Sequence, residues 1–240
     1  MTTPKALYIV PSRGRPENIA RLMGAWRDTK ATAQLMVCVD ADDPELDTYK
    51  ALGVSHDPKI IVSWGARQKI CQIINSAANA HAHQYDHIGF MGDDHLPRTE
   101  RWDAELSEEI IRMGGTGVAY GNDLLMSEKM PTAVLLSADI IRSLGYMAPP
   151  TLEHLCLDLV WKDWGEGLER ISYRDDVVIE HMHPANGKSD LDDLYRENNS
   201  PEQTTRDADA YYAYRDGPVD DRKPSLEGDL DELRKLLGAE

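Results

Sequence analysis

Long apolar runs are missing from this chain of 240 residues. No stretch approaches the roughly 20 apolar residues that a membrane span needs. The opening MTTPKALYIVPSRGRP also lacks an apolar segment followed by a small-residue cleavage site. Cysteine is scarce: Cys38, Cys71 and Cys156 stand far apart in apolar surroundings, an odd number without metal-type spacing. That argues against a disulfide scaffold and predicts reduced thiols in the core of a cytoplasmic protein. Neither GxxxxGK[ST] nor GxGxxG follows the first strand, so P-loop and dinucleotide-binding folds lose ground. Internal repeats and low-complexity linkers are absent. Basic residues are outnumbered, 26 Lys and Arg against 42 Asp and Glu, for a net charge of −16. A surface of that sign repels phosphate backbones and argues against extended nucleic-acid binding. It still leaves room for a local basic pocket for one nucleotide.

What is present suits a globular domain, with 41% hydrophobic and 28% charged residues. Strand-like and helix-like segments alternate. Strands are predicted at 6–11, 34–40, 59–63 and 87–92, at TGVAYG and TAVLLS, and at 176–184. Helices are predicted at 16–29, 43–53, 66–83 and 100–113, and near 137–145 and 152–164. Such alternation predicts an α/β/α sandwich with a mostly parallel central sheet. After residue 186 the apolar residues thin out. Residues 190–240 hold 15 acids against 7 Lys and Arg, about half of the whole excess. The division expected is therefore a catalytic domain over 1–186 and an acidic arm over 187–240, with a last helix at LDELRKLLG. The arm is expected to pack on the core or on a second subunit, the latter making a homodimer.

In open α/β sheets, ligands bind beyond the carboxyl ends of the strands. Here the first strand ends in PSRGRP, the second in VDADDP and the third in SWGARQK. The fourth runs from Ile88-Gly89-Phe90-Met91 into Asp93 and Asp94, and the last ends in EHMHP. One edge of the sheet thus collects arginines, acids and two histidines.

The ordered set VPSRGRPENI, VCVDADDP, WGARQKICQIIN, GFMGDDH and VIEHMHP resembles the nucleotide-sugar-dependent glycosyltransferases of the GT-A fold, in the broad family-two-like group. It covers roughly residues 5–185. TLEHLCLDLVWKDWG looks like the acceptor-side helix of small phage and bacterial members. The resemblance implies a Rossmann-like GT-A sandwich with a C-terminal helical arm. It also implies a nucleotide-sugar donor, UDP-linked first, and a divalent cation, Mn²⁺ or Mg²⁺. A hard cation bridging two phosphates wants oxygen ligands and open positions. Adjacent carboxylates at a strand end provide such ligands. By analogy Asp94 would ligate the cation, and Asp93 would support it or meet the donor ribose. A late histidine often completes such a site. His181 and His183 share a strand face, and His183 at the strand exit is preferred.

Within the same analogy, the turn at Pro11 and Ser12 would offer backbone groups to a pyrimidine edge. Arg13 would reach a phosphate or stack, Asp40 would accept from a uracil imide or the ribose, and Arg67 would pair with the diphosphate. Surface salt bridges are the plainer reading of Arg15, Asp42 and Asp43. An inverting transfer needs a carboxylate to deprotonate the acceptor hydroxyl. Asp158, an acid within an apolar stretch, is favoured, and Glu153 comes second. The family places an acid pair where this chain reads Glu153-His154, so this assignment departs from the pattern. Asp163 reads as a solvated helix-end charge. The acceptor could be a glycan, a protein or a modified base. Two other classes stay open: a nucleotidyltransferase making a nucleotide sugar, which PSRGRP fits poorly, and an inactive nucleotide-binding module.

Overall fold

A computed structural model describes residues 4–53, 59–189, 191–219 and 223–238. Its central sheet comprises β1 (Ala6–Ser12), β2 (Gln34–Asp40), β3 (Ile60–Gly65), β4 (His87–Phe90), β5 (His95–Pro97), β6 (Val118–Asn122), β7 (Val134–Ser137) and β8 (Ile171–His181). Their order across the sheet is β3-β2-β1-β4-β7-β6-β8-β5. Six of the eight run one way, with β7 and β5 reversed. The helices are α1 (Pro16–Asp28), α2 (Leu46–Gly53), α3 (Ile70–His81), α4 (Trp102–Arg112), α5 (Ala138–Leu144) and α6 (Leu157–Gly167). Beyond the sheet follow α7 (Asp193–Asn198), α8 (Pro201–Asp216) and α9 (Leu226–Leu236). Among the described residues no helix is long and apolar enough to cross a membrane.

Alternation along the strands explains the layers. In β1, Leu7 and Ile9 enter one core, and Ala6, Tyr8 and Val10 enter the other. Both sheet faces are therefore buried, which is why the inner strands read as continuous apolar runs. The Tyr8 side bears Trp26 of α1 and Trp102 of α4. The Leu7 side bears Ile74 of α3, Trp161 and Trp164 of α6, and, from the arm, Tyr211, Tyr214, Leu230 and Leu233. The arm thus contributes to the main core.

Three elements of the sheet and its flanking helices differ most from the sequence reading, and α7 and α8 of the arm have no counterpart in it. β8 begins at Ile171, with a bulge opposite Gly121. A Cβ on Gly121 would come within 2.3 Å of the Val177 carbonyl oxygen, so glycine is what lets the strands approach there. His95–Pro97 is a strand too short to announce itself, paired antiparallel to β8. Finally, α6 starts at Leu157 instead of 152. The amides of Glu153, His154 and Leu155 all donate to Asp207 of α8, at 2.9, 3.0 and 2.7 Å, so this stretch is a fixed loop.

Candidate active site

The carboxyl ends of β1, β2, β4 and β8 open into a cleft of about 560 Å³. Pro11, Ser12, Arg13, Asp40, Arg67, Asp93, Asp94, His181 and His183 all line it. Strand direction brings them together, since parallel strands present their ends on one edge.

The two aspartates differ. Asp93 is buried, accepting from Ser12 Oγ at 2.6 Å and from Arg15 at 3.3 Å. Burial, then the charge of Asp94, pushes its pKa up to about 6. Asp94 turns one oxygen to His95 Nδ1 at 3.1 Å and the other to His181 Nε2 at 3.3 Å. Burial opposes its charge, but the two imidazoles outweigh that and hold it well below the usual carboxylate range. The histidines meet because His95 and His181 are cross-strand partners in the β5–β8 ladder. Their rings stack with centroids 4.0 Å apart. Burial and then His181 lower the His95 pKa. For His181 burial works against the proton, yet Asp123 and Asp94 prevail and raise the pKa to about 9.

Asp94, His95 and His181 bring one ligand atom each within 4.8 Å of one another, a grouping able to hold a metal ion. Gly92 backs it: a Cβ there would sit 2.6 Å from Asp94 Oδ1 and 3.2 Å from His95 Nδ1. His183 lies outside this grouping. Its Nδ1 accepts from the Ala185 amide at 3.1 Å, and its ring stands edge-on to Tyr195 of α7, centroids 5.3 Å apart.

The cleft's arginines are held by acids. Arg13 pairs with Asp40 at 2.9 Å and Asp42 at 2.6 Å. Arg67 reaches Glu197 of α7 at 3.0 Å. Arg15 grips Asp192 through two bonds of 2.7 Å while touching Asp93, so it links the acidic pair to the arm. Asp43 is buried, accepting from the Gly14 amide at 2.7 Å and the Glu45 amide at 2.7 Å. It fixes the turn after β1 and the start of α2 rather than a surface ion pair.

Asp158 and Glu153 are not among the residues that line this cleft; Asp158 occupies the first turn of α6 and accepts from the Leu159 amide at 3.0 Å. Burial raises its pKa to about 6. Glu153 is instead engaged by Arg206 at 3.0 Å and Lys69 at 3.8 Å. Asp163 accepts from the Tyr211 hydroxyl at 2.8 Å, and Trp161 and Trp164 are core side chains.

Two residues escaped the sequence reading. His95 was visible only as a neighbour of the acidic pair. Asp123 lies just past β6, where the strand-end rule applied to TGVAYGND would have found it. Its Oδ1 accepts from the amides of Leu125, Met126 and Ser127 at 2.9, 2.7 and 2.8 Å, and its Oδ2 from Thr132 Oγ1 at 2.8 Å.

No protein-family model matches the sequence, and no curated protein does. Solved structures match with confidence. A mannosyltransferase from Pyrobaculum calidifontis, in complex with GDP-Man and Mn²⁺, superposes with a TM-score of 0.63 at 11% identity, over 100% of this chain and 82% of that one. S. aureus TarS 1–349 with UDP-GlcNAc gives 0.57 at 13% identity, over 88% and 73%. Glucosyl-3-phosphoglycerate synthase from Mycobacterium tuberculosis, with Mn²⁺, UDP and phosphoglyceric acid, gives 0.58 at 10% identity, over 91% and 80%. At such identities the likeness is one of fold, the GT-A architecture.

Proposed function

We propose that this GT-A chain is a metal-dependent glycosyltransferase, moving a sugar from a nucleoside diphosphate sugar to an acceptor hydroxyl. The observation that carries the reading is Asp94, its two oxygens 3.1 and 3.3 Å from two imidazole nitrogens at a cleft built from strand ends. The residues fit a divalent cation: one carboxylate, two imidazoles, and a glycine where a Cβ would intrude. A mixed oxygen and nitrogen set favours Mn²⁺ over Mg²⁺. Asp94, His95 and His181 would hold it, with His183 at the rim. Bound there, the cation would neutralise the charge of the departing diphosphate.

The chain's own groups supply the rest. Ser12 and Arg15 keep Asp93 fixed beneath the donor. The Pro11-Ser12 backbone faces the base, and Asp40 accepts from the base or ribose. Arg13 and Arg67 pair with phosphate oxygens as they exchange their carboxylate partners. The donor is UDP-linked in this reading, and the enzyme works in the cytoplasm. Asp158 takes the acceptor proton in an inverting transfer. A carboxyl with pKa about 6 is ionised at neutral pH yet more basic than an ordinary aspartate. Glu153, neutralised by Arg206 and Lys69, suits this task less well.

The test is thermal shift with UDP, GDP, CDP and dTDP, each with and without Mn²⁺. One nucleotide should raise the melting temperature of the parent mainly in the presence of Mn²⁺, and Asp94→Ala should remove that dependence. An undiminished response to UDP and Mn²⁺ in Asp94→Ala would overturn the assignment.

A further inference from the structure

The proton inventory around His95 and His181 carries one more step. It rests on the reading that Asp94, His95 and His181 hold a cation. An ionised carboxylate only accepts hydrogen bonds. Thr132 Oγ1, 2.8 Å from Asp123 Oδ2, must therefore spend its single hydrogen there. The same oxygen lies 3.3 Å from His95 Nε2, so it can only accept, and Nε2 must carry the ring proton. In neutral His95 that leaves Nδ1 with a lone pair aimed at Asp94 Oδ1, 3.1 Å away. Two lone pairs facing at that distance call for a positive charge between them. His181 meets Asp94 from the other side. Its buried Nδ1 makes no hydrogen bond and faces Asp123 Oδ2 at 3.8 Å, while Nε2 faces Asp94 Oδ2 at 3.3 Å.

Asp123 is itself held hard. Three backbone amides converge on its Oδ1 because the chain turns through left-handed residues at Leu124 (φ 58°) and Ser127 (φ 52°). Neither is a glycine, so each such turn is strained. A carboxylate fixed in this way orients whatever it touches.

We propose that Asp123, acting through Thr132, is part of a positioning pair that sets the tautomer of His95, so that its Nδ1 turns a lone pair toward Asp94 and completes a divalent-cation site with His181 on the other side. Partners of this kind commonly govern metal affinity by about 10–100-fold.

Long-range ¹H–¹⁵N NMR on the metal-free protein reads the tautomer directly. His95 should be protonated on Nε2 in the parent and redistribute toward Nδ1 in Thr132→Val. Calorimetry with Mn²⁺ alone should show about 10–100-fold weaker binding in Thr132→Val and Asp123→Asn, with recovery in Thr132→Ser. Asp123→Asn keeps an oxygen for the three backbone amides but puts an amide donor where Thr132 needs an acceptor, and it removes the charge as well. Thr132→Val leaves Asp123, its charge and its backbone bonds in place and carries the decision. An unchanged tautomer and unchanged Mn²⁺ affinity in Thr132→Val overturn the inference, even where Asp94→Ala abolishes binding and the cation site stands. Undiminished Mn²⁺ binding in Asp94→Ala overturns the cation site itself, and this inference with it.

Discussion

Asp158 joins two properties that pull against each other. Its carboxyl sits where burial raises the pKa from 3.8 to about 6. For an acid this sign means the folded state holds the proton more tightly than the unfolded one. Folding therefore weakens as pH rises from about 4 to about 6, and the penalty persists above. Asp158→Asn should raise the melting temperature at pH 8 but not at pH 4, while cutting transfer by about 10²–10⁴-fold with donor binding intact. If Glu153→Gln proves the more damaged variant, the base is Glu153. The parent's kcat/KM should fall as pH drops through about 6, and Asp158→Glu should move that limb. An NMR assay of the product's anomeric configuration checks inversion. At this scale much of the site was legible. Asp93, Asp94, Arg13, Asp40, Arg67 and the late histidines all sit at strand ends, and all line one cleft. The choice among histidines was not legible, because it depends on the register of a three-residue strand and on a bulge opposite Gly121. No local pattern encodes either.

Among the elements, the loop before α6 shows how a remote side chain overrules local pattern. Residues 152–156 read as helix, yet three of their amides go to Asp207, which is fully buried and also accepts from Gln203 at 2.9 Å. Asp207→Ala would strand those donors. An unsatisfied buried group costs about 1–3 kcal/mol, and because these amides are only part-buried a total loss of about 1–3 kcal/mol in urea unfolding is expected. Hydrogen exchange at Glu153, His154 and Leu155 should accelerate first, and unchanged protection there would argue against the cap. The same helix explains why the arm looked peripheral. The buried face of α8 is Gln203, Asp207, Tyr211 and Tyr214, helically spaced but half polar. An apolar periodicity cannot reveal a face built from hydrogen bonds.

For the molecule as a whole, the sheet and its crossover helices followed from alternation and periodicity, whereas the arm's role in the core did not. Trp164 Nε1 donates to the Tyr214 hydroxyl at 2.7 Å, and that hydroxyl donates to Asp229 Oδ2 of α9 at 2.8 Å. Asp229 also bonds the Tyr146 hydroxyl beside α5. Deleting residues 200–240 should therefore abolish cooperative unfolding of the remainder, seen as loss of a sharp calorimetric transition. A truncated chain that melts sharply and binds nucleotide would show the core to be self-sufficient. The Asp207 cap also has a consequence in time. Its residue lies 54 positions after Glu153. At about 5–20 residues per second, a ribosome supplies it some 3–11 s later. During that interval the loop before α6 lacks its Asp207 acceptor, and Trp164 lacks its Tyr214 hydroxyl partner. Translation speed across α7 and α8 thus sets how long that indole waits uncovered, and chaperone dependence should increase when that stretch is translated slowly.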